Sequence, residues 1–269
     1  MVNRPIIFAL AMVCCVSWRL GSASASPRQV KAWSVAVLGS DIEAAETAAA
    51  ALGKDGSAAA VRGLLSALSL GLHPKVAVVA LEGLGKNARS ENFDTLVVYS
   101  RNRNQGVRAA AYEALAKIDD ERAVARLGYA LSDKSPAVRS IAIEHVSRVK
   151  DRSAMPALLR LIEAGDLHAS RAFGAMGDAE DARKLAERVG SLPDGPLATA
   201  LGAMLLRKEF GPDGARVQIV RTIAKLRTPV LRNVLNEYAN QDKVGDRKSR
   251  DEASAVLESL SSPGRKQSE

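Results

Sequence analysis

Cysteine is almost absent from this sequence, and its two cysteines, Cys14 and Cys15, lie side by side near the N-terminus. A chain with so few cysteines cannot be a disulfide-rich scaffold or a domain built around cysteine-ligated zinc. Aromatic residues are also scarce, at 4% of the chain. Their scarcity argues against a β-sandwich, whose strands favour aromatic and β-branched side chains.

The apolar segment near the N-terminus is too short to cross a membrane. Ile6–Val16 is an unbroken run of 11 apolar residues that follows Arg4, whereas a transmembrane helix needs about 20. Small residues at 23–25 then offer a cleavage site. We therefore predict a signal peptide over residues 1–25 and a mature, exported chain that begins at Ser26.

Removal of this segment would change the chemistry available to the chain. Both cysteines would be lost, so the mature chain would have neither disulfides nor thiol chemistry. Lipid attachment at Cys14 or Cys15 is an alternative, but the residues before either cysteine do not match a lipoprotein signal. Because the segment carries two arginines and no acid, the formal charge falls from +8 to +6. That moderate basicity permits an anionic partner without requiring one.

The rest of the sequence is helical and repetitive. Apolar residues recur with a helical period in an N-terminal helix at 28–38 and in pairs of helices from about 42 to 260. Val107–Arg108 returns 31 residues later as Val138–Arg139. A two-helix unit of this length cannot bury its apolar face without a neighbour, which is typical of a solenoid. We predict an all-α fold, an α-solenoid of about seven helix-pair repeats over 26–260, and a disordered tail at 261–269.

The repeated segments resemble HEAT repeats of the short bacterial kind, a form also seen in bilin-lyase-like proteins. The matching positions are Asp133, Val138, Arg139, Ala142 and Val146 in one unit, and Val107, Arg108, Ala111 and Leu115 in the unit before it. The resemblance implies a right-handed superhelix whose second helices form a concave face. It also implies a scaffold for protein partners, and it brings no catalytic residues.

No residue pattern predicts catalysis, a cofactor or a metal site. The acids at 119–121 and 178–181 begin predicted second helices, where capping is favoured over acid–base chemistry. The three histidines have no second ligand at a suitable spacing. The segment 83–86, "GLGK", has the wrong spacing for a phosphate-binding loop. We expect Gly85 in this segment, like Gly53 and Gly177, to end a helix in the left-handed conformation.

Arg108 and Arg139 allow two interpretations. They could form a ladder of anion-binding groups with one arginine in each repeat. Alternatively, each could contact the polar residue six positions earlier, Asn102 for Arg108 and Asp133 for Arg139. The resemblance to HEAT repeats favours this structural interpretation.

Alignment of the second helices at 31 residues brings variable side chains into one column. Val98, Tyr129 and Arg160 share one position, and Arg126 lies one helical turn before Tyr129. Tyrosine and arginine are enriched among residues that dominate binding energy. We therefore predict Val98, Arg126, Tyr129 and Arg160 as partner-binding residues. The alternative is that Tyr129 is half-buried between helices.

These patterns predict a function of a general kind. We expect an exported protein, periplasmic or secreted, that acts as a non-enzymatic scaffold and binds a protein or peptide on its concave face. The alternative is a binder of an anionic polymer, either nucleic acid or acidic envelope glycan, through basic stretches such as 101–108 and 147–152. Export and the lack of interleaved aromatic and basic residues argue against nucleic acid. A third hypothesis, an enzyme on a helical-repeat fold, requires buried acids or aromatics in the groove.

Overall fold

The structure is a computed structural model that describes residues 25–241 and 243–261. The predicted signal peptide, both cysteines and the tail beyond Ser261 lie outside these residues, apart from Ala25. Fifteen α-helices and two 3-10 turns make up the regular structure of the described chain. No β-strand occurs in this part, in which Val189 and Leu192 form an isolated bridge.

The helices follow one another with short connections. The N-terminal half contains α1 (Pro27–Ala36), α2 (Ile42–Asp55), α3 (Ala58–Leu70), α4 (Pro74–Lys86), α5 (Phe93–Tyr99), α6 (Gln105–Leu115), α7 (Glu121–Ala130) and α8 (Pro136–Val149). The C-terminal half contains α9 (Met155–Glu163), α10 (Leu167–Met176), α11 (Ala179–Ala186), α12 (Asp194–Leu205), α13 (Asp213–Ile223), α14 (Val230–Ala239) and α15 (Arg247–Ser261). The 3-10 turns Ser90–Asn92 and Arg152–Ala154 lead directly into α5 and α9.

After α1, the helices pair into seven repeats, each with a first and a second helix. The first helices are α2, α4, α6, α8, α10, α12 and α14, and each packs on the next in an unbroken series. The second helices are α3, α5, α7, α9, α11, α13 and α15. Helix α1 packs on α2 and α3, so it takes the place of a second helix before the first repeat. The prediction of an all-α solenoid with seven helix pairs is confirmed.

Local sequence signals mark the helix starts. Pro74 and Pro136 occupy the first position of α4 and α8, where a missing N–H leaves no hydrogen bond unmade. Asp41, Ser57 and Asn104 cap α2, α3 and α6, and each side-chain oxygen accepts a hydrogen bond from a backbone N–H of the first turn. These caps satisfy donors that have no partner within the helix.

The prediction that Gly53, Gly85 and Gly177 end helices in the left-handed conformation is wrong. Gly53 and Gly85 lie inside α2 and α4, and Gly177 has a φ of −62°. A Cβ on Gly53 would lie 2.6 Å from the Cα of Gly83, and one on Gly85 would lie 3.0 Å from the Cα of Ala114. Glycine at these positions lets the backbones of consecutive first helices approach closely. The "GLGK" segment is therefore a packing surface.

A continuous apolar core lies between the layer of first helices and the layer of second helices. It extends from Val30 in α1 to Ala253 in α15 and consists mainly of alanine, leucine, valine and isoleucine. Leu52, Leu115 and Leu158 are among its fully buried side chains. Because each repeat contributes only a few such residues, every unit depends on its neighbours to complete its core.

Candidate partner-binding site

Three of the predicted binding residues occupy equivalent exposed positions on consecutive second helices. Val98, Tyr129 and Arg160 are each the ninth residue of their helix, counted from the start of the preceding 3-10 turn where there is one. Val98 is 67% exposed, Tyr129 is 70% exposed, and Arg160 is also exposed. The alternative that Tyr129 is half-buried is therefore wrong. We refer to the exposed side of α5, α7 and α9 as the second-helix face.

Arg126, the fourth predicted residue, is half-buried and held in place. Its Nε and Nη2 atoms donate hydrogen bonds of 3.0 Å and 2.8 Å to the Oγ of Ser100 at the end of α5. Its guanidinium carbon lies 5.8 Å from the ring centre of Tyr112 and 5.2 Å from that of Tyr129, within cation–π range. No carboxylate among the described residues pairs with Arg126. Its orientation is thus fixed while its charge remains uncompensated.

The helices of this face stand apart from one another. Within the described chain, α7 does not pack closely on α5 or α9, although α1 packs on α3 and α13 packs on α15. Arginine side chains bridge part of this gap. The guanidinium carbon of Arg122 lies 4.4 Å from the ring centre of Phe93 in α5, while Arg126 contacts Ser100. Sequence alignment could not reveal that Arg126 both bridges to α5 and forms part of the candidate binding site, because the bridge depends on the spacing of the helices.

Additional positive charge lies in the loops that follow α5 and α7. Arg101, Arg103 and Lys134 are exposed, and none of them forms an ion pair within the described part of the chain. Elsewhere many surface arginines are paired with acids. Examples are Arg152 with Asp178 and Asp181, Arg183 with Glu180, and Arg188 with Glu163. Arg101, Arg103 and Lys134 therefore add unpaired positive charge at the ends of α5 and α7.

Arg108 is a structural residue that contacts the backbone of the predicted Asn102 and, in addition, the carboxylate of Asp133. Its Nη1 donates to the backbone oxygen of Asn102 at 2.9 Å. Its Nε and Nη2 donate to the two carboxylate oxygens of Asp133 at 2.9 Å and 2.8 Å. Arg108 is only 6% exposed, so it has no surface to offer an anion. The carboxylate comes from the following repeat, and the residue six positions earlier contributes its carbonyl.

Arg139 repeats this arrangement in a looser form. Its Nη1 donates to the backbone oxygen of Asp133 at 2.9 Å, whereas the prediction had paired it with the side chain. Its Nε lies 4.0 Å from a carboxylate oxygen of Asp166 in the following repeat. Asp166 also caps α10 by accepting from the backbone N–H groups of His168 and Ala169. This capping role holds the carboxylate at the start of α10.

The same arginine motif also occurs at two positions that the sequence analysis did not predict. Arg216 and Arg250 are each the fourth residue of their helix, as are Arg108 and Arg139. Arg216 donates to the backbone oxygen of Phe210 at 2.8 Å, and Arg250 donates to that of Val244 at 3.2 Å. In every case the acceptor is six residues earlier. Neither Arg216 nor Arg250 follows a valine, so a search for Val-Arg pairs misses them.

The contact between Arg108 and Asp133 shifts the pKa values of both groups. The hydrogen bonds from Arg108 hold the pKa of Asp133 below its usual value. The same bonds raise the pKa of Arg108. Bidentate pairing of a guanidinium with a carboxylate is a strong, directional form of hydrogen bonding. The pair is therefore charged at neutral pH and links the third repeat to the fourth.

The predicted capping role of the acid clusters is confirmed. Asp120 caps α7 by accepting from the backbone N–H of Arg122. Asp178 and Asp181 form a reciprocal capping box at the start of α11. Their carboxylates also accept hydrogen bonds of 2.9 Å and 2.8 Å from Arg152. These acids are fully engaged in holding helix ends.

His145 lies beside an open cavity between the first helices α6 and α8. The cavity has a volume of about 490 Å³ and is lined by Glu113, Lys117, Glu144, His145 and Arg148, among others. The Nδ1 atom of His145 lies 3.1 Å from Nη2 of Arg148. Because a guanidinium can only donate, Nδ1 accepts this bond and the neutral ring carries its proton on Nε2. Burial, and then the charge of Arg148, lower the pKa of His145.

The comparison with protein families identifies the repeats. The model of HEAT repeats matches residues 61–131. This segment therefore contains HEAT repeats. The match covers the second half of the first repeat, the second repeat and the third repeat, which includes Val98, Arg126 and Tyr129 of the second-helix face. The sequence-based prediction of a HEAT-repeat protein is thereby confirmed.

Several solved structures are similar to this chain over most of its length. The complex of CpcE and CpcF of phycocyanin lyase from Nostoc sp. PCC7120 is 18% identical, with a TM-score of 0.45 over 90% of this chain and 98% of that chain. An engineered protein is 18% identical, with a TM-score of 0.44 over 87% and 69% of the respective chains. A designed armadillo repeat protein is 16% identical, with a TM-score of 0.33 over 86% and 99%.

No curated protein matches this sequence. Among the described helices, none combines the length and the apolar character needed to span a bilayer.

Proposed function

We propose that this chain is a non-enzymatic scaffold that binds a protein or peptide on the face of its second helices. The observation that carries the proposal is the exposure of Tyr129 beside the oriented but uncompensated Arg126. Tyrosine and arginine supply much of the binding energy in protein interfaces. HEAT repeats support a protein-interaction role in general. A stack of packed helices also offers a preformed surface, which lowers the cost of ordering on binding.

Affinity capture tests the proposal. The mature chain is immobilised and exposed to the envelope fraction of its own cells, beside a variant in which Arg126, Tyr129 and Arg160 are all alanine. We expect a partner that the wild type retains and the variant loses. A matched control carries alanine in place of Arg183 on α11 and Arg221 on α13. Both arginines are exposed and paired with acids, and this control should retain the partner. Equal capture by all three proteins would contradict the proposal.

We also propose that the protein is exported and that its first 25 residues are removed. The support is the apolar segment Ile6–Val16 and the small residues that follow it. N-terminal sequencing of the protein recovered from its cells should find Ser26 as the first residue. A chain that retains Ile6–Val16 and stays inside the cell would disprove this part of the proposal.

A second candidate function is the binding of an anionic polymer. The unpaired cations Arg101, Arg103 and Lys134 favour it. Affinity that depends on such charges falls steeply as salt rises, because binding releases counterions. Retention on heparin that disappears with added salt and with alanine at these three positions would support this candidate. Retention that ignores salt would exclude it.

A further inference from the structure

We infer that the partner presents an extended, acidic segment in which an apolar side chain accompanies the carboxylates. The inference rests on the proposed function and specifies the chemistry of the partner at the second-helix face. Three features carry it: the free donors of Arg126 and Arg160, the exposed Val98 and Tyr129, and the change in surface charge at α11.

The arginines of this face are ready to bind carboxylates. Arg126 uses Nε and Nη2 toward Ser100, whereas Nη1 has no acceptor among the described residues. Arg160 is exposed and has no hydrogen-bond or ion-pair partner in that part of the chain. A guanidinium offers donors in a planar fork that matches a carboxylate. Because Ser100 and two tyrosine rings already orient Arg126, little side-chain entropy remains to be lost on binding.

The apolar side chains of the face favour a peptide over a polyanion. Val98 and Tyr129 are among the most exposed large apolar residues of the described chain, at 67% and 70%. An aliphatic or aromatic side chain of a peptide would bury both surfaces. A nucleic acid strand is usually bound by a series of aromatic residues that stack on successive bases. Here only Tyr129 could serve in that way, since the equivalent positions hold valine and arginine.

Charge along the second helices limits where an acidic segment can bind. The exposed surface of α11 carries Glu180 and Glu187, which are paired with Arg183, while Glu163 at the end of α9 pairs with Arg188. An acidic chain would meet carboxylates on α11 and unpaired cations on α7 and α9. Attraction is therefore confined to α7 and α9, because α5 has no basic residue and exposes Asp94.

The dimensions of the face set the length of the segment. Packed helices are about 10 Å apart and these helices stand further apart, so α5 to α9 spans at least about 20 Å. An extended chain covers about 3.3 Å per residue, so at least about six residues are needed. The binding element is thus a short linear segment.

Selection from a random peptide library tests the inference. A display library of about eight-residue peptides is selected on the immobilised mature chain, a length that covers the face. We expect enrichment of peptides that combine aspartate or glutamate with an aliphatic or aromatic residue. Their affinity is then measured by fluorescence anisotropy. Arg160→Ala and Tyr129→Ala should each weaken binding about tenfold, a typical loss for a residue that dominates an interface.

Matched variants separate binding from folding. Arg160 has no partner in the described chain, so Arg160→Glu should fold normally, reject the selected acidic peptides and accept a version with lysine in place of the acids. Ser100→Ala should weaken peptide binding by freeing Arg126, with the helical circular dichroism unchanged. Arg221→Ala, on α13 and paired with Glu252, should bind as well as the wild type.

The results distinguish this inference from the broader proposal. Selected peptides that lose affinity on Tyr129→Ala but contain no acids, or ignore Arg160→Glu, would overturn the acidic partner and leave protein binding intact. Failure to select any peptide sensitive to Tyr129→Ala or Arg160→Ala would overturn both. Binding of heparin that persists when Tyr129 and Val98 are alanine, together with that failure, would favour the anionic polymer.

Discussion

At the scale of single residues, arginine connects helices that other proteins join by aromatic packing or disulfides. Arg207 donates to the backbone oxygens of Gly174 and Gly177 at 2.9 Å and 2.7 Å. Buried Arg216 donates to backbone oxygens at the end of α12, including that of Arg207 at 2.8 Å. Carbonyls at the C-terminal end of a helix lack partners and carry partial negative charge. Arginine satisfies them, from the following repeat in the case of Arg207 and within one repeat in the case of Arg216.

Replacement of Asp133 by asparagine tests one such connection. The change leaves the buried charge of Arg108 without its carboxylate, so the free energy of unfolding should fall by about 3 kcal/mol. Urea denaturation followed by circular dichroism measures the loss. Asp120→Asn weakens the more exposed pair with Arg122 and should cost clearly less stability, because solvent screens that pair. Equal losses in the two variants would contradict a special role for the buried pair.

The same aspartate gives a pH dependence with a definite sign. The pKa of Asp133 in the folded chain is below its ordinary value of 3.8. Its contribution is therefore fully present above about pH 4 and disappears as the pH falls through the lowered folded pKa. The difference in stability between the wild type and Asp133→Asn should shrink over that acidic range. A constant difference would show that the carboxylate is not the source of the effect.

His145 should act at a milder pH. Its pKa in the folded state is lowered from 6.5, so below pH 6.5 the unfolded chain binds the proton more readily. Stability should therefore decrease as the pH falls from 6.5 toward the folded pKa, and it should be constant above that window. His145→Gln should lose this slope, because it removes the ring that binds the proton. Melting temperatures of both proteins between about pH 7.5 and pH 5.5 provide the measurement.

At the scale of helices, the two layers are packed by different means. First helices meet through glycine and alanine, as at Gly53 with Gly83 and Gly85 with Ala114. The central second helices stand further apart and are bridged by arginine. The close layer makes the stack rigid, and the open layer leaves side chains available to a partner.

Two glycine substitutions contrast the layers. Gly53→Ala places a Cβ against the backbone of Gly83, so it should destabilise the chain by about 2 kcal/mol. Gly128→Ala in α7 meets no atom within 4 Å, and it should stabilise the helix by about 0.5–1 kcal/mol. Thermal unfolding of both variants measures the difference. A stabilising Gly53→Ala would contradict the close approach of α2 and α4.

The helices themselves could be predicted from the sequence, but the contacts between them could not. Apolar periodicity predicted all seven pairs, because each helix has one buried stripe. The apolar pattern of α12 starts only at Leu197, although the helix begins at Asp194. Its first turn contains a glycine and a proline, which reduce the periodic signal. Gly53 was misread because a C-cap and a close helix contact favour the same residue, and only the position of the neighbour distinguishes them.

At the scale of the molecule, contacts run almost entirely between adjacent repeats. Unfolding should therefore spread to neighbours and fade with distance along the stack. Leu158→Ala in α9 removes a fully buried side chain and should cost about 3 kcal/mol. Hydrogen exchange should then accelerate in α8, α9 and α10 while α2 and α3 keep their protection. Unchanged melting of the variant would count against the array.

The candidate site was only partly accessible from the sequence. The 31-residue register was enough to place Val98, Tyr129 and Arg160 at one position, since equivalent residues of a repeat share an environment. It could not separate exposure from burial for Tyr129, because that depends on the spacing of α5, α7 and α9. The carboxylate partner of Arg108 was missed for a related reason. Counting along one repeat overlooks a group supplied by the next.

The bond between Arg108 and Asp133 also determines where the chain can be divided. A fragment that stops at Ala130, the last residue of α7, would retain Arg108 and discard its carboxylate. A fragment that continues through Ser135 would keep the pair, although it gains no further helix. The natural module therefore extends past the end of α7 to the residue just before α8. Shuffled or shortened versions of this protein should be joined just after Ser135.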